Sequence, residues 1–300
     1  MRVLLVGGTR FIGAHAARQL VEAGADVTVF HRGKSENPIL PPVRHIRDAS
    51  AEYPVTSFPE AVTKADWDVV VHMVMMGEAD ARAAAQAFAG RAGRLVMISS
   101  GDVYRAYGRL TGLEPGEPDG ALLGEDAPLR SLFYPYRAQA AKLGRYAYDY
   151  EKILAERAVR DAGLPAVILR LPKVYGAEDN ANLATVYGFA QQPQWRWTHG
   201  HVDNVARAIV LAAAHPAAPG RIYPGRIYNV GEANTPTMGE RLTRLPSLPS
   251  PSPQAPPFDC RHPIAYDTTR IRDELGFCEI VDEANAMLTL AKIACGAAAD

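Results

Sequence analysis

The sequence predicts an α/β chain built on a doubly wound parallel sheet, with a small C-terminal lobe. Three observations lead there. The apolar runs of the first half are continuous rather than alternating, as in strands covered on both faces. They alternate with helix-like stretches, the pattern of strand–helix–strand units. The first run ends in a glycine-rich turn that opens directly into a helix.

Each element follows from its own residues. "RVLLVGG" is a buried strand, and "IGAHAARQLVEAG" is a helix closed by Gly24. "DVTVFHRG" is the next strand. "WDVVVHMV" and "RLVMISS" are two more, separated by the alanine-rich helical stretch "EADARAAAQAFAGRAG". "AYDYEKILAERAVRDAG" is a charged amphipathic helix feeding the strand "PAVILRLPKVYG". "HVDNVARAIVLAAAH" is a helix with Asp203 expected at its N-cap, followed by the short strand "RIYNVG". "PSLPSPSPQAPP", residues 246–257, excludes regular helix or central strand and reads as a loop. "TTRIRDELGF" is a short helix ended by Gly276.

Composition narrows the function. The chain has 300 residues, 48% hydrophobic and 22% charged, with a formal net charge of −1. These are ordinary values for a soluble globular protein, and they lack the basic excess of a general nucleic-acid binder. Cys260, Cys278 and Cys295 form no C-x-x-C or Cys/His cluster, so neither a metal site nor a disulfide framework is expected. Free thiols in a reducing cytoplasm are expected instead. No signal peptide or membrane span is expected either.

The turn reads Gly7-Gly8-Thr9-Arg10-Phe11-Ile12-Gly13. Glycines here let the backbone approach a pyrophosphate, and the helix N-terminus supplies amide donors. A plain tight turn is the competing reading. Arg10 stands where the usual repeat has another glycine. The second strand ends in His31-Arg32, with Lys34 close behind, where an NAD site usually carries an acid. Arginine attracts a 2′-phosphate, so Arg10, Arg32 and Lys34 point to NADP; solvated loop cations are the alternative. Asp48 is placed to accept from the adenine amino group.

"YDYEK" puts Tyr148 and Lys152 four residues apart, one turn along a single helix face. A free phenol, with pKa about 10, is a poor base at neutral pH, and a nearby ammonium favours its phenolate. Tyr148 then serves as the acid/base and Lys152 as a holder of the nicotinamide ribose. Ser100 ends the strand "MISS" at the sheet edge where ligands bind in this fold; a strand-end hydroxyl is the plainer reading.

Together these motifs resemble the extended short-chain dehydrogenases/reductases of the NAD-dependent epimerase/dehydratase family. "GGTRFIG", "SSGDVY", "YDYEKILAE", "LRLPKVYG", "HGHVDNVARAI" and "DTTRIRDELGF" carry the resemblance over nearly the whole chain. The "GGTRF" and "YEKILAE" forms are similar to a subgroup holding bacterial nucleoside-diphosphate-sugar epimerase-like proteins and chloroplast stem-loop RNA-binding proteins. The resemblance implies a catalytic triad of Ser100, Tyr148 and Lys152. It implies NAD(P) contacts at Gly7, Thr9, Arg10, Phe11, Ile12, Gly13, His31, Arg32, Lys34, Asp48, Met73, Lys152 and Leu171. Substrate contacts are expected at Ser100, Asp102, Tyr134, Arg137 and Lys173. Lys173 replaces a common asparagine and suggests an anionic group, against a solvated lysine head. The long insertion carrying Tyr134 and Arg137 is expected to be a lid or specificity element, against a decorative loop.

A sugar-nucleotide epimerase is expected first and an NADPH-dependent reductase second. A dehydratase is disfavoured because Gly101-Asp102 replace the usual acid pair. A non-catalytic RNA-binding protein on the same fold is the reading of another class. The Rossmann-like dinucleotide domain is expected over residues 1–171 plus about 199–219. The substrate lobe is expected over about 172–198 and 220–300, with the active site between them. Family members often dimerise through the Tyr148 helix and the helix before it, so a homodimer is among the expected states.

Overall fold

The computed structural model describes residues 1–35, 37–215, 226–247 and 253–294. The expectations for Cys295, for residues 248–252 of the proline-rich stretch and for the boundary near 219–220 lie outside the described residues. Those residues hold nine strands: β1 (Arg2–Val6), β2 (Asp26–His31), β3 (Arg44–Arg47), β4 (Val69–His72), β5 (Leu95–Ser100), β6 (Ala166–Leu171), β7 (Lys173–Tyr175), β8 (His199–His201) and β9 (Arg226–Asn229). The helices used below are α1 (Phe11–Glu22), α2 (Glu78–Phe88), α3 (Tyr146–Asp149), α4 (Lys152–Asp161), α5 (Val202–Ala214) and α6 (Thr269–Leu275).

The chain forms two compact units. Met1–Ser100, Leu132–Arg170 and Ala206–Tyr228 make the first, and Gly101–Ser131, Leu171–Val205 and Asn229–Asp300 the second. Residues 101–131 therefore group with the second unit rather than with the strands before them.

The first unit is built on a seven-stranded sheet of order β3-β2-β1-β4-β5-β6-β9. The β1/β2, β1/β4, β2/β3 and β4/β5 pairs are parallel. This is the doubly wound Rossmann-like order, and it reverses between β1 and β4, where ligands bind beyond the strand ends. Leu4, Val6, Phe30, Val70, Phe88, Met97 and Ile168 belong to one buried cluster. Burying such a side chain fully is worth roughly 1.5–3 kcal/mol. α2 and α4 pack together on one face of the sheet. Ser99 Oγ donates to Glu156 Oε1 at 2.6 Å, and Arg170 holds the same carboxylate through Nε at 3.0 Å and Nη2 at 2.7 Å. The "LAE" glutamate of α4 thus ties β5 to β6 from inside the core.

In the second unit β7 and β8 pair in parallel, Lys173 opposite His199 and Tyr175 opposite His201. Phe189, Trp195, Trp197 and Phe258 pack as an aromatic cluster beside them. α6 ends at Gly276 as expected. α5 begins one residue before Asp203, which therefore lies in its first turn and is not its N-cap. The His201 imidazole takes that part, accepting from the Asp203 amide at 3.3 Å.

Candidate active site

The glycine turn is shaped by contacts that exclude side chains. Gly7 and Gly8 have φ of +80° and +97°, left-handed values that suit glycine. A Cβ on Gly13 would lie 2.1 Å from Gly8 Cα, and one on Gly7 would lie 2.8 Å from Val74 Cγ1. The turn folds back on itself in a cradle that only hydrogen fits, with α1 starting directly behind it. Such a cradle suits the pyrophosphate of a dinucleotide.

Around it, Thr9 is buried and its Oγ1 hydrogen-bonds Ser35 Oγ at 2.8 Å. Arg10 is exposed at the N-cap of α1, and its carbonyl accepts from Gly13 N at 3.0 Å. Phe11, with φ of +33°, and Ile12 are half-buried at the helix start. Met73 is half-buried, and its amide donates to Val6 O at 2.9 Å, next to the turn.

At the end of β2 the cations are not bare. Lys34 Nζ donates to Glu52 Oε1, and Arg32 Nη1 lies 3.7 Å from the same oxygen. The Arg32 guanidinium also stands 5.7 Å from the centre of the Tyr53 ring. Glu52 is an acid the sequence reading missed; it lies 18 residues beyond Lys34, and no motif links them. His31 is buried, and burial, His45 and Arg47 together push its pKa down. Asp48 Oδ1 accepts from Ser50 Oγ at 2.6 Å and Ser50 N at 2.9 Å, and these bonds hold its carboxyl below the usual range.

Tyr148 and Lys152 depart from the expected geometry. They do not share a helix face. Tyr148 lies on α3, and α4 begins at Lys152. Between them Tyr150 (φ −64°, ψ 114°) and Glu151 (φ −157°, ψ 94°) are extended. The cause is Glu151, which is fully buried and caps α4 by accepting from Ile153 N at 3.0 Å. Its other oxygen accepts from Tyr134 N at 2.6 Å, and its own amide donates to Met76 O at 2.9 Å.

Lys152 is buried, and its Nζ donates to Met75 O at 2.6 Å and Ile98 O at 2.9 Å, past β4 and near the end of β5. The ammonium stands 5.7 Å from the Tyr150 ring centre. Tyr148 is 53% exposed and so open to a substrate. Its ring lies 4.6 Å from the Arg137 guanidinium, which also sits 3.6 Å from the Tyr134 ring. Ser100 is half-buried at the end of β5. His72, at the end of β4, is fully buried with no hydrogen bond on either ring nitrogen. Burial, then the Lys152 charge, pushes it down to about 3.

In the second unit Asp102 is buried, and its carbonyl accepts from Arg130 Nε at 2.5 Å. A Cβ on Gly101 would fall 1.5 Å from Tyr266 Oη, which donates to Leu171 O at 3.1 Å. The place of a dehydratase's first acid is therefore filled by a tyrosine. Leu171 is buried, and Lys173 is half-buried with its amide donating to Thr198 O at 3.0 Å. Its register partner His199 is fully buried, and burial holds its pKa well below the usual value.

Residues 137–231 match the model of the NAD dependent epimerase/dehydratase family. That segment is about a third of the chain. No curated protein sequence matches it. Among solved structures it is similar to MoeE5 in complex with UDP-glucose and NAD, at 20% identity, a TM-score of 0.68 and 99% coverage of both chains. It is similar to the UDP-glucose 4-epimerase of Thermotoga maritima, at 17% identity, a TM-score of 0.68 and 99% coverage of both. The UDP-Glc/GlcNAc 4-epimerase of Campylobacter jejuni aligns at 14% identity, a TM-score of 0.65 and 97% coverage of both. These likenesses concern the fold. No helix among the described residues is long and apolar enough to cross a membrane, and no group of three potential metal ligands occurs among them.

Proposed function

We propose that this protein is a nucleotide-sugar epimerase that uses a nicotinamide dinucleotide. The observation that carries the reading is the pairing, in one unit, of the glycine-only cradle with a buried lysine at the neighbouring strand ends. Epimerases are favoured over dehydratases because Tyr266 occupies the space that an acid at position 101 requires.

Gly7 to Gly13 hold the pyrophosphate against the N-terminus of α1, Met73 lies alongside, and Asp48 takes the adenine amino group. The dinucleotide, when bound, takes and returns a hydride. Lys152, fixed by two carbonyls, holds the ribose of the nicotinamide half. Ser100 hydrogen-bonds the reacting sugar oxygen, and Tyr148 moves its proton. Arg137 and Tyr134 hold Tyr148.

Exposed Arg10 in the glycine turn supports a second reading, an NADPH-dependent reductase of a keto sugar. One experiment separates the two. UDP-hexoses and UDP-uronic acids are incubated with the protein and catalytic dinucleotide, and the sugar configuration is followed by NMR. Interconversion without net cofactor consumption supports the epimerase. Stoichiometric NADPH oxidation supports the reductase, and no change with any substrate contradicts both.

A further inference from the structure

We propose that Gly77 and Asp80 are positioning residues that set where Tyr148 stands relative to Lys152. The tyrosine turn rests on a backbone shelf, Met75 to Gly77, and Asp80 clamps that shelf from behind. The inference deepens the function proposed above and rests on it.

Three consecutive residues beyond the end of β4 each meet one part of the tyrosine segment. Met75 O accepts from Lys152 Nζ at 2.6 Å. Met76 O accepts from the Glu151 amide at 2.9 Å. Gly77 lies against the last residue of α3, where a Cβ would fall 2.5 Å from Asp149 O. The shelf thus meets the chain at positions 149, 151 and 152, directly after Tyr148.

Glycine is needed at position 77 for this contact alone. Its backbone, with φ of −155° and ψ of −172°, is extended and open to any residue. A side chain there would strike a backbone carbonyl, and no rotamer change relieves that. One of the two segments must move. α2 is anchored in the core through Ala81, Ala84 and Phe88, whereas α3 is a four-residue turn carrying exposed Tyr146 and Tyr148. The tyrosine turn therefore gives way.

Asp80 holds the shelf in place. It is 1% exposed, and its Oδ2 accepts from Gly77 N at 3.0 Å and Met76 N at 3.3 Å. Its Oδ1 accepts from Val55 N at 2.6 Å. A helix cap from this position requires only the bond to Gly77. The bonds to Met76 and Val55 go further and lock the shelf to the chain that follows β3. Burial pushes the Asp80 carboxyl up, and the three amides and the Lys152 charge oppose that. One buried carboxylate thus governs both the path of the shelf and the field at the lysine. Misplacing a reacting group by about 1 Å can cost about 100-fold in rate, so this placement matters to turnover.

Wild type, Gly77→Ala and Asp80→Asn test this, each checked for folding by its thermal transition. Asparagine keeps one acceptor but turns its NH2 toward amides on the other side. UDP-sugar interconversion and dinucleotide affinity are measured on the same samples. The Tyr148 resonance is followed by NMR of protein labelled at tyrosine 13Cζ, with its assignment from Tyr148→Phe. Gly77→Ala is expected to lower kcat about tenfold or more, to shift the Tyr148 resonance and to keep dinucleotide affinity within about twofold. Asp80→Asn should act in the same direction, and if it does not fold, Gly77→Ala decides alone. Unchanged kcat, an unmoved Tyr148 resonance or dinucleotide affinity falling in step with kcat overturns the assignment. If wild type turns over no UDP-sugar, the functional reading fails separately. The Tyr148 resonance then decides the shelf: a shift in Gly77→Ala upholds it, and no shift overturns it.

Discussion

Arg137 donates through Nε to the carbonyl oxygen of Tyr148 at 2.9 Å, with its guanidinium over the same residue's ring. The contact joins the long insertion to the tyrosine proposed as acid/base. Tyr134, whose ring centre lies 3.6 Å from the same guanidinium, is anchored by buried Glu151. Replacing Arg137 by Ala should loosen Tyr148 without touching the glycine turn. Cation–π contacts of this kind are worth about 0.5–2 kcal/mol, so kcat should fall about 2- to 30-fold. Dinucleotide affinity, measured by fluorescence titration, should not move.

Lys152→Met should act on both stability and binding. It leaves the carbonyls of Met75 and Ile98 buried without their donor. An unsatisfied buried acceptor costs roughly 1–3 kcal/mol. Urea unfolding should show that loss, and titration should show weaker dinucleotide binding.

Stability should fall in mild acid because of His72. Its pKa is about 3 when folded, well under the ordinary histidine value near 6.5 that the unfolded chain has. A lowered pKa means the unfolded chain binds the proton first. The stabilisation is complete above about pH 6.5 and is lost as pH falls toward the folded value. Between pH 6.5 and pH 5 the loss from this residue is about 2 kcal/mol, at 1.36 kcal/mol per unit. Buried His199 contributes in the same direction. The pH dependence of urea midpoints in wild type and His72→Leu checks this, with a shallower slope expected in the variant.

Gly101→Asp should not create a dehydratase. The new Cβ would meet Tyr266 Oη at 1.5 Å. Overpacking of a buried site costs typically 1–3 kcal/mol or more, and a buried carboxylate adds to it. The variant should melt well below wild type and eliminate no water from any sugar nucleotide, which calorimetry and mass spectrometry would show.

The doubly wound sheet and the turn from Gly7 to Gly13 are legible in the sequence because their causes are local. Apolar runs, glycines and the following helix lie within a few residues of one another. Lys152 is equally legible as a residue of the proposed site. The break between Tyr148 and Lys152 is not. A Y-x-x-x-K spacing implies one helix, but Glu151 stops it by bonding Tyr134, which lies 17 residues away. Arg32 and Lys34 read as a phosphate-binding pair until Glu52 folds against them. His45 and Arg47 carry no motif, and only the register of β2 on β3 brings them beside His31.

The central claim is that Tyr148 moves the proton in sugar-nucleotide chemistry. Turnover of a UDP-sugar by Tyr148→Phe, alongside Tyr150→Phe and with dinucleotide binding measured on the same samples, tests it most directly. Loss of about 100-fold or more in kcat for Tyr148→Phe, a smaller loss for Tyr150→Phe and retained dinucleotide binding are predicted. Unchanged turnover in Tyr148→Phe would contradict the account.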